Sequence, residues 1–179
     1  MSDSSWTRGA ALYCLLGAGL AGVGCAGDAE PAGDCRAGSP EPIFSAEATW
    51  VERHEFDRQG QRSRELLLTD ADSLLVEQAG CDTLVQQFEL TVADSVADWA
   101  AFRPVAAGRF NALAARDPAL FQFEQYARAV EAVPADFPTG QPADLAPGLT
   151  LRAYPLPVRS PSRWVVRFEQ DLTLAGGAQ

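Results

Sequence analysis

The strongest constraint on this chain is an alternation. In "DTLVQQFELTV", residues 82–92, Leu84, Phe88, Leu90 and Val92 fall on one side of an extended backbone. Val85, Gln87, Glu89 and Thr91 fall on the other. A period of two with one apolar side describes a strand in a sheet that is dry on one face and wet on the other. The same reading extends backwards. "IFSAEATWVERHEF" puts Phe44, Ala46, Ala48 and Trp50 on one side, and "RQGQR" is a turn. "SRELLLTD" is a second strand, "TDADS" a turn, and "SLLVEQAG" a third strand with Leu74 and Val76 inward. Such short connections describe an antiparallel meander.

The period then changes to helical. Ser95 followed by Asp98 resembles a capping box, and Trp99, Phe102, Ala106, Phe110 and Leu113 form one apolar stripe. Pro104 lies inside that run and is expected to kink or split it near Arg103. Asp117-Pro118 is a second helix start, with Leu120, Phe123, Ala127 and Val130 as its stripe and Val133-Pro134 as its stop. "PADFPTGQPADLAPG", residues 134–148, reads as a Pro-rich loop, either a crossover or an arm presenting Phe137. "LTLRAY" is a strand and "PLPVRSPS" a turn or sheet edge. "RWVVRFEQDLTL" closes the chain as a long strand with Trp164, Val166, Phe168 and Leu172 inward. The expected class is α+β: a mostly antiparallel sheet of about six strands, with two or three helices inserted between strands four and five. The helices pack on one face as a two-layer sandwich. Residues 43–179 form this single domain, long enough to bury roughly 70% of its unfolded surface.

Residues 1–25 are of another kind. After "MSDSSWTR" the chain carries no charge from Gly9 to Gly27, and "AALYCLLGAGLAGV" is its apolar heart. That length fits the apolar region of a secretory signal and is short for a membrane span. The stretch ends in Val23-Gly24-Cys25. It resembles the signal of bacterial lipoproteins, in which a short box ends in a cysteine that becomes the lipidated amino terminus. Gly24 supplies the small residue before the cysteine, and Gly22 stands where that family usually has Leu. The resemblance implies lipidation of Cys25, anchoring in a membrane through acyl chains and, with Ala26 following, the outer membrane, so a periplasmic or outer-membrane protein. The alternative is ordinary cleavage after Ala26 and free secretion. Residues 26–42, rich in Gly, Ala, Pro and acid, read as a flexible tether.

Either route leaves Cys35 and Cys81 as the remaining pair of the four cysteines. In an oxidising compartment they are expected to bond; two separate buried thiols are the alternative.

Charge limits function further. The formal net charge is −10, and all 14 basic residues are arginine. Without lysine there is no Schiff-base or P-loop lysine. An acidic body is a poor nucleic-acid binder and adheres poorly to anionic lipid by charge alone. No metal or cofactor is expected: there is no CxxC, and one histidine makes zinc improbable. That histidine, His54, has Glu52, Glu55 and Asp57 nearby. It does not exclude a Ser–His–acid hydrolase, but no G-x-S-x-G elbow accompanies it. Asp70 and Asp72 open like a calcium loop, yet Leu74 takes the fifth position and no glycine follows. Trp99, Phe102, Phe110, Phe121, Phe123 and Tyr126 read as core or as the wall of a ligand cavity, and Arg53, Arg58, Arg62 and Arg64 as a solvated hairpin or a local anion patch. The leading expectation is an exported, lipid-anchored envelope protein that binds a protein or a small ligand and is not an enzyme. A small secreted hydrolase using His54, and an acidic inhibitor of a secreted basic enzyme, are the alternatives.

Overall fold

The computed structural model describes residues 35–70, 72–93, 95–157 and 161–175. Residues 1–34, with the stretch read as a signal and Cys25, lie outside the described residues.

Seven strands form one antiparallel sheet: β1 Val51–Gln59, β2 Arg62–Thr69, β3 Ser73–Ala79, β4 Thr83–Val92, β5 Pro142–Ala146, β6 Leu149–Pro155 and β7 Ser162–Asp171. Their order across the sheet is β1-β2-β3-β4-β7-β6-β5. The meander β1 to β4 is built from consecutive neighbours. The chain then crosses one face through helix α1, Trp99–Arg116, a 3-10 turn, Pro118–Leu120, and helix α2, Gln122–Ala132. It reaches the far edge at β5 and returns inward, so that β7 closes against β4 along ten paired positions. A last short helix, α3, spans Leu172–Ala175.

The α+β class therefore holds, but strand count and helix positions differ from expectation. The seventh strand is β5, inside the stretch read as a Pro-rich loop. It is short, lies at the edge, and carries Pro142 and a register shift between Asp144 and Ala146, all of which hide a strand from a periodicity argument. Leu172, read as the end of the last strand, instead opens α3, which β7 reaches after Asp171. Helix α1 is not split at Pro104. Its cap is Asp98, whose Oδ1 accepts the Ala101 N–H at 2.9 Å, so the helix starts one turn later than a Ser95 cap would place it.

The first strand also starts later than expected, at Val51 and not at Ile43. The cause is a buried carboxylate. Glu65 on β2 is fully shielded from solvent, and its Oε2 and Oε1 accept the backbone N–H groups of Ile43 and Phe44, each at 2.9 Å. Those N–H groups are satisfied without a ladder, and residues 43–50 lie as turns against the core. Phe44 stacks on Phe123 with ring centroids 5.6 Å apart and meets Trp50 edge-on.

The core lies between the helices and one sheet face. Leu67, Leu74, Val76, Phe88, Leu90, Leu151, Trp164 and Val166 point to it from the strands. Trp99, Phe102, Phe110, Leu120, Phe123 and Val130 meet them from the helical side. Phe102 stacks on Trp164 at 4.5 Å, and Phe88 touches Phe110, Phe123, Tyr126 and Phe168. The buried indoles are satisfied: Trp99 donates to the Pro134 carbonyl and Trp164 to that of Val96.

Cys35 and Cys81 form a disulfide, with Cα atoms 4.6 Å apart and a sequence separation of 46. Closing a loop of that length constrains the unfolded chain by about 4 kcal/mol on the entropic account. Residues 35–42 are held by more than the sulfurs. The Ala37 N–H donates to the Cys81 carbonyl at 2.9 Å, and the Gln78 amide donates to the Glu41 carbonyl at 2.9 Å. Between β3 and β4 the chain turns at Gly80, with φ of 138°; a Cβ there would sit 1.9 Å from the Thr83 carbonyl oxygen. Only glycine fits that approach.

Candidate functional site

His54 does not sit in a cleft with a nucleophile. It lies on β1 opposite Leu67, facing the core, and its Nε2 is 2.7 Å from Glu65 Oε1. The imidazole is 10% exposed and the carboxylate 0%. A carboxylate that already accepts two backbone N–H groups takes the imidazole N–H as its third donor. Among the described residues, no serine hydroxyl hydrogen-bonds His54. The pair works as a clamp that fixes residues 43–44 on the sheet. Glu65 was not singled out in the sequence; the available signal was an acid at the inward parity of its strand, between Ser63 and Leu67.

Beside the clamp runs a chain of polar side chains. Tyr126 donates its hydroxyl to Gln86, Gln86 donates to Gln78 at 3.5 Å, and Gln78 donates to Ser63 at 3.4 Å. Burial pushes the Tyr126 hydroxyl up to about 12, with the Gln86 hydrogen bond working in the other direction.

The other aromatics are core, as the helical spacing allows. Trp99, Phe102, Phe110 and Phe123 are buried, while Phe121 stands 62% exposed at the start of α2. Phe137 packs against the core and is not presented on an arm. Asp70 and Asp72 belong to the β2–β3 turn and pair with Arg116 at 3.1 Å and Arg109 at 2.7 Å. Partial burial raises the pKa of Asp72, opposed by the Arg109 charge and the Ser73 N–H. Among the described residues, no group of three or more His, Cys, Asp or Glu is placed to hold a metal ion.

Two concave features carry charged side chains, and a third, of about 200 Å³ beside Tyr126, does not. The first is on the sheet face opposite the helices. There a trough of about 700 Å³ is lined by Asp57, Arg62, Arg64, Glu77, Gln87 and Arg167, among others. The register makes this a row. Asp57, Arg64, Glu77, Gln87, Arg167 and Arg152 are successive cross-strand partners from β1 to β6. Arg53, Arg62 and Arg64 lie on this open face, but Arg58 lies on the other, where it contacts Glu41 at 3.3 Å. Arg152, Arg163 and Arg167 arrive from the far end of the sequence. Several charges are paired: Arg53 with Glu55, Arg163 with Glu89, and Arg167 with Glu169 at 2.7 Å. Gln87 donates to Glu77 at 3.2 Å and accepts from the Tyr154 hydroxyl at 3.4 Å. Among the described residues, Arg62, Arg64 and Arg152 have no carboxylate within ion-pair distance. Val165 on this face is 1% exposed, yet lies outside the main core cluster.

The second feature is a cleft of about 260 Å³ between α1 and the sheet, walled by Leu67, Leu74, Leu90 and Leu113, with Arg109 and Arg116 beside them.

No family model matches the chain, and neither a curated protein nor a solved structure matches it.

Proposed function

We propose that this chain is an exported envelope protein, held at the membrane by lipid on Cys25, that acts by binding and not by catalysis, with the open sheet face as its binding surface. The observation that carries the binding role is the trough on that face. A seven-stranded sheet with helices on one side only leaves a broad surface, and here that surface is concave, polar and crossed by a row of mostly charged residues that ends in two arginines. The register sets two arginines, Arg152 and Arg167, directly opposite each other on it. Like charges so placed are unfavourable unless something anionic lies between them.

Two further observations support the reading. The Cys35–Cys81 bond suits an oxidising compartment, as export requires. Among the described residues His54 contacts Glu65 through Nε2 and no serine hydroxyl hydrogen-bonds its ring, which counts against the hydrolase alternative. Acyl chains on Cys25 would supply the anchoring that the acidic surface does not, at about 0.8 kcal/mol per buried methylene.

Intact mass spectrometry of the mature protein from its native host tests the first half. The expected mass begins at Cys25, carries acyl chains and lacks two hydrogens for the disulfide. A chain starting at Met1 with reduced sulfurs overturns the reading. A photo-crosslinking residue at Gln87 tests the second half. Its crosslink in the native envelope should vanish when Arg64 and Arg167 are both changed to Glu, with protein level and mass unchanged. A crosslink indifferent to those charges rejects the open face as the binding surface.

A further inference from the structure

The cleft between α1 and the sheet has a construction of its own. Its floor is a single cross-strand row, Leu67 on β2, Leu74 on β3 and Leu90 on β4, each the direct partner of the next. Its other wall is one face of α1: Arg109, Ala112, Leu113 and Arg116, at the i, i+3, i+4 and i+7 spacing that places side chains together. The three leucines of the floor are nearly inaccessible, at 1%, 5% and 1% exposure. Protein interiors leave few gaps larger than a water molecule. An opening of about 260 Å³ over a leucine floor has room for roughly nine heavy atoms at about 30 Å³ each.

The polar groups that line it are the Arg109 and Arg116 guanidinium groups, the Asp72 carboxylate and Thr69. Arg109 Nη1 is sealed from solvent and lies 2.7 Å from Asp72 Oδ2, but no acceptor, Asp72 included, lies along its N–H directions. The Asp72 contact supplies charge to that sealed nitrogen, while the Arg109 side chain as a whole stays 27% exposed to an incoming ligand. Arg116 lies one helical face-repeat further on, contacting Asp70 at 3.1 Å and resting over the Trp50 ring at 5.4 Å. Apolar walls with a few convergent polar groups are the usual make-up of a small-molecule site.

We propose that this cleft binds a small carboxylate with an apolar tail, the carboxylate on Arg109 and Arg116 and the tail on Leu67, Leu74, Leu90 and Leu113. The site is separate from the open sheet face and stands without it.

Sodium octanoate is the probe, with octan-1-ol and octylamine as chain-matched controls, titrated into the full chain by calorimetry and followed by amide chemical shifts. Saturable binding of one octanoate is expected, at least tenfold tighter than either control, with shifts at Leu67, Leu74, Leu90 and Arg109. Arg109→Met keeps the apolar stem and should weaken binding at least tenfold. Ala112 is exposed on α1, so Ala112→Trp should obstruct the cleft and abolish binding while leaving the melting temperature near that of the parent. That variant keeps the test valid if Arg109→Met does not fold. The proposal fails if octanoate shows no saturable binding at millimolar concentration, if octylamine binds as well, or if Ala112→Trp leaves affinity unchanged.

Discussion

Arg152 on β6 and Arg167 on β7 are direct cross-strand partners on the sheet face opposite the helices. Of the two, only Arg167 has a carboxylate in contact among the described residues, that of Glu169 two residues along its own strand. Like charges on residues in direct register repel where their side chains meet.

Changing Arg152 to Glu converts that repulsion into an attraction. The variant should be more stable than the parent by about 0.2–1 kcal/mol, the range for a charge pair in direct register. Urea unfolding measures it, and a loss of stability would mean that the two side chains already avoid each other. If the open face binds an anionic partner as proposed, the same substitution should also weaken that binding.

Glu65→Gln leaves the shape of the clamp but removes its charge and one acceptor. Hydrogen bonds to a buried charged group contribute about 1.5–3 kcal/mol, and the variant should lose an amount of that order. The loss should be local as well as global: hydrogen exchange at the Ile43 and Phe44 amides should accelerate more than exchange in β4.

Tyr126 makes stability depend on alkaline pH. Its hydroxyl is pushed up to about 12 in the fold from an ordinary value of 10.0. Between those values the unfolded chain has released this proton and the native chain has not. Stability contributed by the neutral phenol is therefore complete below pH 10 and is lost as pH climbs towards 12. The slope should disappear in Tyr126→Phe, measured by urea unfolding at a series of pH values.

Gly80→Ala places a methyl group on the Thr83 carbonyl and a side chain at positive φ. Strain of this kind costs about 1–3 kcal/mol per residue when the surroundings cannot yield. The β3–β4 turn should loosen, and a lower urea midpoint would register it.

Reducing the Cys35–Cys81 bond, or replacing both cysteines with serine, should lower stability by about 2–5 kcal/mol. A midpoint unchanged by reductant would mean that residues 36–80 are already ordered in the unfolded chain.

Strands β2, β3, β4 and the bulk of β7 were legible because each shows one dry and one wet side over seven or more residues. The two helical stripes were legible for the same reason at a different period. What escaped was decided by contacts distant in sequence. Residues 43–50 alternate like a strand, but Glu65 supplies hydrogen bonds that a neighbouring strand would have supplied. Strand β5 is too short and too proline-bearing to announce itself, and forms because β6 folds back on it. The open face was only half visible. Arg62 and Arg64 could be seen as a cluster near the first hairpin, whereas Arg152 and Arg167 join their row only once β7 inserts beside β4. The cleft was invisible for a similar reason. The spacing of Arg109, Leu113 and Arg116 says that they share a helix face, but not that three leucines from three strands lie beneath it.

The position of the disulfide sets how the domain carries mechanical load. Cys81 leads directly into β4, the middle strand of the seven. A pull on the chain ahead of Cys35 passes through the sulfurs into that strand, so the turns between residue 36 and β1 are bypassed. The strand that receives the force has partners on both sides and must be sheared from both to yield. With the sulfurs reduced, the same pull would peel the polypeptide from its outer edge, one contact at a time.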